Sequence, residues 1–171
     1  MNKTLFDTNV YGELILDIKS LTKIEKLIKD KKILIYGNNI IRNELREVPA
    51  QSRLGKFSKR ILLLNLYDRI VSEHDIKIGD LIRLLADKYY EEYKRLGGRT
   101  QYDELKNDFL IIASASIKEL DIVVSHDTKT MLSRLLIDAY RKVNIENGLR
   151  NPNFIAYEEY KRKLNLIDAP M

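Results

Sequence analysis

Three short runs of apolar, β-forming residues are spread along the 171-residue chain, and long stretches with helical periodicity separate them. The runs are Leu5-Phe6, residues 33–36 and residues 122–125. Each run is almost continuously apolar instead of alternating with polar residues, which is typical of strands covered on both faces. Such strands alternating with helices predict an α/β fold, and the length suits one domain. We therefore expect a single domain over residues 1–171, a three-layer sandwich around a central, mostly parallel sheet.

The stretches between these runs predict the helices. We expect helices at residues 9–16, around 24–28, from Asn38 or Asn39 to just before Pro49, and at 108–120, 128–141 and 157–164. A last short strand is expected at 154–156, after a loop at 144–152. Residues 55–96 have helical periodicity with a break near residues 74–79, and two glycines follow. We expect residues 55–105 to be an enlarged segment of the same domain that contains a projecting helical hairpin.

Composition excludes several kinds of site. The chain has no cysteine, which excludes disulfides, zinc–thiolate sites and cysteine nucleophiles, and its two histidines are too few for a histidine-based metal site. It carries 30 basic and 25 acidic residues, so the net charge of +5 favours a polyanionic partner. The apolar run at residues 109–117 is too short to span a bilayer, and Asp7 comes before any signal-peptide core can develop. We therefore expect a cytoplasmic protein without a membrane partner.

Four acidic residues are expected at one edge of the sheet. Asp7 and Asp127 follow predicted strands, and Asp108 opens a predicted helix. Glu44 lies in the apolar stripe of its helix, because Ile40, Glu44 and Val48 share one face. Each residue alone has an ordinary structural alternative: the aspartates are favoured helix caps, and Glu44 could extend to solvent or pair with Arg42 or a lysine. The functional interpretation depends on their convergence, since ligands bind at the carboxyl ends of parallel strands.

Four neighbouring carboxylates repel one another and need a compensating positive charge. No lysine or arginine occurs in residues 5–10, 107–117 or 122–127, which favours a divalent metal over a basic side chain. Oxygen ligands without histidine or cysteine suit Mg²⁺ or Mn²⁺.

This set of residues resembles the PIN-domain family of metal-dependent ribonucleases. The match lies in Leu5-Phe6-Asp7-Thr8-Asn9, in residues 39–45 around Glu44, in residues 107–115 around Asp108 and in residues 122–127 ending at Asp127. The order Asp, Glu, Asp, Asp follows the family pattern, and residues 154–164 resemble its closing strand and helix. Compact bacterial and archaeal members are often VapC-type toxins that cleave RNA and are silenced by a small antitoxin protein.

The resemblance implies roles for these residues. Asp7, Glu44, Asp108 and Asp127 would hold one or two Mg²⁺ or Mn²⁺ ions, and a metal-activated water would attack an RNA phosphodiester, leaving a 5′-phosphate and a 3′-hydroxyl. Thr8, Asn9 and Ser125 would support the ligands or the scissile phosphate, although capping and turn formation explain Thr8 and Asn9 equally well. The family also suggests a homodimer.

Several basic and aromatic residues are candidates for contact with RNA. The basic candidates lie after Pro49 and around the two glycines, and for any one of them we favour a solvated helix face over RNA contact: Arg53, Lys56, Lys59, Arg60, Lys94, Arg95 and Arg99. Tyr89, Tyr90 and Tyr93 cluster on one predicted helix, where we favour packing or a protein interface over base stacking. We expect structural roles for His74 and His126.

Two other functions are alternatives to the nuclease. A phosphatase with an Asp7 nucleophile would need a second aspartate two residues on, where this chain has Asn9. The alternative from a different class is a catalytically inactive PIN-like RNA-binding or scaffold subunit, which the presence of all four acids disfavours.

Overall fold

The computed structural model describes residues 1–127 and 129–170, which form fifteen helices and strands. Along the chain these are β1 (Asn2–Phe6), α1 (Thr8–Leu14), α2 (Ile18–Lys29), β2 (Ile33–Asn38), α3 (Asn39–Arg46), β3 (Arg53–Leu54), β4 (Phe57–Ser58), α4 (Lys59–Val71), β5 (Asp75–Ile76), α5 (Asp80–Arg95), α6 (Tyr102–Ile117), β6 (Ile122–Ser125), α7 (Arg134–Glu146), β7 (Asn153–Ala156) and α8 (Tyr157–Asp168). No helix in these ranges has the length and apolar character needed to cross a bilayer.

The central sheet has five strands, all parallel, in the order β5-β2-β1-β6-β7. Leu5 on β1 pairs with Tyr36 on β2 and with Val123 on β6, so the three strands end close to one another. Every connection between these strands runs through at least one helix, as parallel pairing requires. The predicted α/β sandwich is therefore confirmed, and its sheet is entirely parallel.

The core lies on both sides of the sheet because β1 and β6 are covered on both faces. Leu5, Phe6, Val123 and Val124 are fully buried, which explains why these strands are continuously apolar. Helices α2 and α8 contact each other, and lysines of α2 donate to Asn165 and Asp168 of α8. Helix α5 packs against both α6 and α7. The sheet edge that carries the strands' carboxyl ends is thereby surrounded by the starts of α1 and α3 and by the β6–α7 loop.

The enlarged segment differs from its prediction. Residues 53–58 form a small antiparallel β-hairpin, and β5 interrupts the helical stretch as the edge strand of the main sheet. Helix α4 packs on α3 and β2, whereas α5 packs on α6 and α7. Helices α4 and α5 therefore do not form the predicted hairpin, because they bury their apolar stripes against different neighbours. Helix α5 pairs with α6 instead.

Two helix boundaries also differ from the sequence prediction. Helix α6 begins at Tyr102 instead of Asp108, because residues 102–107, which are mostly polar and exposed apart from the buried Leu105, form its first turn and a half. Helix α7 begins at Arg134 instead of near Thr128, since Asp127 organises a turn at residues 129–130, and it continues to Glu146. Thr128 itself lies outside the described residues.

The buried Tyr67 side chain joins α4 to the end of β2. Its single hydroxyl proton is shared between two acceptors, the carbonyl oxygen of Asn38, 3.1 Å away, and the carboxylate of Asp75 on β5. The ring lies directly against Gly37, where a β-carbon would overlap it. Gly37 is therefore required for close approach of the ring to the strand.

We predict that Gly37→Ala lowers the free energy of unfolding by about 1–3 kcal/mol, because the added methyl group displaces the packed Tyr67 ring. Gly12→Ala is the matched control, since nothing lies within 4 Å of a β-carbon at that helical position. The control should be neutral or should stabilise by up to about 1 kcal/mol, which is the helix-propensity gain. Chemical denaturation monitored by circular dichroism measures both, and equal stabilities for the two variants would contradict the packing role of Gly37.

Candidate functional site

Asp7 follows the last residue of β1 and is held between two neighbouring elements. The Ser125 hydroxyl at the end of β6 donates to Asp7 Oδ2 at 2.9 Å, and the backbone N–H of Thr8 donates to Oδ1 at 2.8 Å. The residue is only 7% exposed. Asp7 is also the N-cap of α1, so it does have the capping role that was its structural alternative. The hydrogen bond from Ser125 ties it to the adjacent strand as well.

Glu44 lies in the last turn of α3 and is half-buried, with its carboxylate turned toward Asp7. The Thr8 hydroxyl donates to Glu44 Oε1 at 3.2 Å. Asn38 sets the start of this helix, because its side-chain oxygen accepts from the N–H of Ile41 while its amide donates to Ser114 Oγ on α6. Arg42 makes two 2.9 Å bonds to Asp68, which excludes it as the partner of Glu44.

Asp108 and Asp127 reach the same region from α6 and from the loop after β6. Asp108 is half-buried in the second turn of α6, so it is not a helix cap. Asp127 accepts hydrogen bonds from the N–H groups of Lys129 and Thr130 at 3.0 and 2.9 Å and from the Thr130 hydroxyl. Asp127 therefore stabilises the turn that follows it, which is a structural role.

The electrostatics of the four acids show that they act on one another. Burial and the charges of Asp7, Glu44 and Asp127 raise the pKa of Asp108 to about 7. Burial and the charge of Asp7 likewise raise the pKa of Glu44 to about 7, against the opposing hydrogen bond from Thr8. Burial also raises the pKa of Asp7, with a smaller contribution from Asp127. The four carboxyl groups thus share one electrostatic environment.

Asp127 has the opposite shift. Burial acts to raise its pKa, but the hydrogen bonds from Thr130 and Lys129 together outweigh that effect and lower it. Asp127 therefore remains ionised under conditions in which Glu44 and Asp108 retain protons.

The fit of this site to a divalent ion rests on its donors and its charge. None of the four carboxylates forms an ion pair with a lysine or arginine in the described part of the chain. Carboxylate and hydroxyl oxygens are ligands that suit Mg²⁺ and Mn²⁺. Within residues 1–127 and 129–170, however, no three Asp, Glu or His side chains stand close enough together to form a preassembled ion site. The donor chemistry fits, and an ion would have to draw the carboxylates inward.

Thr8, Asn9 and Ser125 connect the four acids. Thr8 joins Asp7 to Glu44, and Ser125 Oγ accepts from the N–H of Asp127 at 3.0 Å while donating to Asp7. Asn9 Oδ1 accepts from the N–H of His126 at 2.9 Å and so fixes the start of the β6–α7 loop.

Several solved protein structures share this architecture. The chain superposes with a TM-score of 0.60 on a chain of VapBC2 from Rickettsia felis bound to promoter DNA, at 15% identity, covering 91% of this chain and 98% of that one. DNA-bound VapBC from Salmonella typhimurium gives 0.58 at 15% identity, again covering 91% and 98%. FitAcB from Neisseria gonorrhoeae gives 0.51 at 17%, covering 89% and 96%. No protein-family model and no curated protein matches the sequence.

The chain has a PIN-like fold. The resemblance found in the sequence is thereby confirmed for the architecture, over about nine-tenths of the chain. At these identities the likeness concerns the fold alone, so the roles of the acidic residues remain a proposal.

Two further residues at the acidic edge of this PIN-like fold were missed by the sequence analysis. Thr130 bonds to Asp127 and also lowers the pKa of Asp108. Asp127 and Thr130 are three residues apart, and this spacing is a turn signal that would have indicated the contact of Thr130 with Asp127.

The hydroxyl of Tyr140 is buried without a hydrogen-bond partner among the described residues. Its pKa is raised mainly by burial and next by the charge of Asp108. Nothing in the sequence distinguishes Tyr140 from an ordinary core tyrosine.

The remaining candidates are divided between surface and core. Arg53, Lys56 and Arg99 are exposed, and Arg60 is half-buried with its guanidinium donating to the carbonyl oxygen of Arg46 at 3.3 Å. Arg95 is bound to Glu92 and is not free for RNA. The three tyrosines of α5 pack around Phe109 and Tyr140, as expected for core residues.

His126 Nε2 lies 3.8 Å from the Glu13 carboxylate. The His74 ring packs against the Tyr36 ring, with 5.0 Å between their centroids. Both contacts agree with the structural roles expected for the two histidines.

We predict that the metal-free protein loses stability as pH rises from 5 to 8. The folded state keeps protons on Glu44 and Asp108 up to about pH 7, whereas the unfolded chain releases them near pH 4. The folded state therefore binds more protons in this interval, and the loss should total about 2–4 kcal/mol. Denaturant titrations in EDTA at pH 5, 6, 7 and 8 measure the slope.

The double variant Glu44→Gln, Asp108→Asn should flatten this slope and be more stable than the wild type at pH 8. Asp30→Asn, which alters an exposed carboxylate at the opposite end of β2, should leave the slope unchanged. If the double variant keeps the wild-type slope, protons on Glu44 and Asp108 are not the cause of the pH dependence.

Proposed function

We propose that this protein is a metal-dependent endoribonuclease that hydrolyses RNA phosphodiester bonds at the acidic edge of its sheet. The observation that carries the proposal is a group of partly buried carboxylates that form no ion pair with a lysine or arginine in the described part of the chain, in which burial first and the charge of Asp7 second raise the pKa values of Glu44 and Asp108 to about 7. A cluster that is costly without a cation has a physical reason to bind one. The net charge of +5 suits a polyanionic substrate.

Asp7, Glu44, Asp108 and Asp127 would hold Mg²⁺ or Mn²⁺. When bound, such an ion lowers the pKa of water and stabilises charge on phosphate oxygens. The residues of this chain position and tune the ligands: Ser125 and Thr8 orient the carboxylate of Asp7, and Thr8 also orients Glu44. Glu44 and Asp108 must lose their protons to act as ligands, so binding should strengthen as pH rises through 7.

The biological role that fits this fold is the toxin of a toxin–antitoxin pair, acting on RNA in the cytoplasm. The support comes from the structural neighbours, which include VapBC and FitAB assemblies bound to DNA. We propose that a small antitoxin protein binds this chain and silences it, as the family resemblance implies. Homodimer formation is a further expectation from that resemblance.

Cleavage of RNA is the direct test. With Mn²⁺ the purified protein should cleave a mixed-sequence single-stranded RNA, EDTA should abolish cleavage, and Asp7→Asn should reduce the rate by at least about 100-fold, since it removes charge from the metal ligands. Gel analysis of end-labelled RNA measures the rate and shows whether the products carry a 5′-phosphate.

Asp30→Asn controls for the general effect of removing a carboxylate and should cleave at the wild-type rate. RNA binding without cleavage, unaltered by Asp7→Asn, would instead identify the protein as an inactive RNA-binding or scaffold subunit.

Metal binding should be visible without any substrate. We predict that millimolar Mn²⁺ or Mg²⁺ raises the melting temperature of the wild type by several degrees at pH 8 and by less at pH 6, where protons compete for Glu44 and Asp108. Asp108→Asn should lose most of this increase and Asp30→Asn none. A shift of equal size in all three proteins would show that the ions bind elsewhere.

A further inference from the structure

Residues 53–58 form a β-hairpin that displays an aromatic ring to solvent. Arg53 pairs with Ser58 and Leu54 with Phe57 around a two-residue loop, in which Gly55 has a φ of 61° that glycine adopts without strain. The N–H of Lys59 donates to the carbonyl of Ser52 at 2.9 Å and closes the base. Phe57 is 56% exposed, and the ammonium of Lys56 lies 5.6 Å from the ring centroid.

The hairpin and the first turn of α4 carry basic residues and no acidic ones. Between Glu47 and Asp68 the chain has four basic residues and no acidic one: Arg53, Lys56, Lys59 and Arg60. None of them forms an ion pair in the part of the chain that the structure describes. An aromatic ring among unpaired cations suits a single-stranded nucleic acid, whose bases stack on rings and whose phosphates attract lysine and arginine. A second copy of this surface would be repelled, because a two-fold contact would place like charges together.

The hairpin is attached to the helix that carries Glu44. Six residues separate it from the end of α3, and the Arg60 guanidinium donates to the carbonyl of Arg46 at 3.3 Å. Glu44 precedes Arg46 by only two residues in the same helix. A strand of RNA held on the hairpin would therefore lie beside the Glu44 end of the acidic site.

We propose that the β3–β4 hairpin binds an unpaired segment of RNA, with Phe57 stacking on a base and with Arg53 and Lys56 contacting flanking phosphates. This inference rests on the proposed ribonuclease function and narrows its substrate to single-stranded RNA. In a duplex the bases are stacked on one another, so Phe57 has no free base face to contact.

The test is fluorescence anisotropy with a labelled 12-nucleotide single-stranded RNA and with the blunt duplex of the same sequence, both in EDTA so that no cleavage occurs. The wild type should bind the single strand more tightly than the duplex. Phe57→Ala should weaken single-strand binding about 5- to 150-fold, and Phe57→Trp should restore it to within about threefold, because both rings stack. Arg53→Ala and Lys56→Ala should each lower the slope of log affinity against log salt by about 0.7.

Leu166→Ala is the matched control, since Leu166 is also an exposed apolar residue, 77% exposed, on α8. It should bind RNA as the wild type does. The inference is overturned if Phe57→Ala binds like the wild type, if the duplex binds as tightly as the single strand, or if Phe57→Ala alters only self-association in light scattering. Circular dichroism melts confirm that each variant is folded.

The same proteins assayed with Mn²⁺ separate this inference from the proposed activity. If Asp7→Asn abolishes cleavage while Phe57→Ala leaves binding intact, the nuclease stands and the hairpin assignment fails. If Phe57→Ala weakens binding but no protein cleaves RNA, the hairpin binds RNA and the nuclease proposal fails.

Discussion

The candidate site depends on one constraint, which is the partial burial of several carboxylates at one end of a parallel sheet. Burial and neighbouring negative charge both disfavour ionisation, and together they bring the pKa values of Glu44 and Asp108 to about 7. A fold tolerates such a cluster when protons, hydrogen bonds or a cation offset the charge. Hydroxyl groups of Ser125 and Thr8 donate to Asp7 and Glu44, and the raised pKa values of Glu44 and Asp108 favour bound protons below about pH 7. In the proposed nuclease a divalent ion would replace those protons.

Small polar side chains hold this arrangement in place. Ser125 bridges two neighbouring strands through Asp7, Thr8 joins that carboxylate to α3, and Asn38 ties the start of α3 to α6. These contacts link four segments that are far apart in sequence. The orientations of Asp7 and Glu44 therefore depend on hydrogen bonds from residues of other elements.

The segment between α3 and α6 serves two different parts of the molecule. Helix α4 and β5 extend the sheet edge through Tyr67, while α5 closes the aromatic core around Phe109 and Tyr140. Tyr89 and Tyr93 of α5 are buried and Tyr90 is half-buried, because their rings pack in or against this core. The hairpin at residues 53–58 contacts α4, but the Phe57 ring and the Arg53 and Lys56 side chains remain exposed.

The sequence by itself determined the α/β architecture, because continuous apolar strands and periodic helices are local patterns. It also located Asp7, Asp127 and Glu44 on their elements. It did not reveal that α6 begins at Tyr102, since tertiary packing selects where a polar first turn starts, nor that α4 and α5 bury their stripes against different partners. The turn that joins Thr130 to Asp127 is a local contact that the sequence could have indicated. The burial of the Tyr140 hydroxyl without a hydrogen-bond partner among the described residues was decided only by the tertiary structure, because it depends on packing between segments distant in the chain.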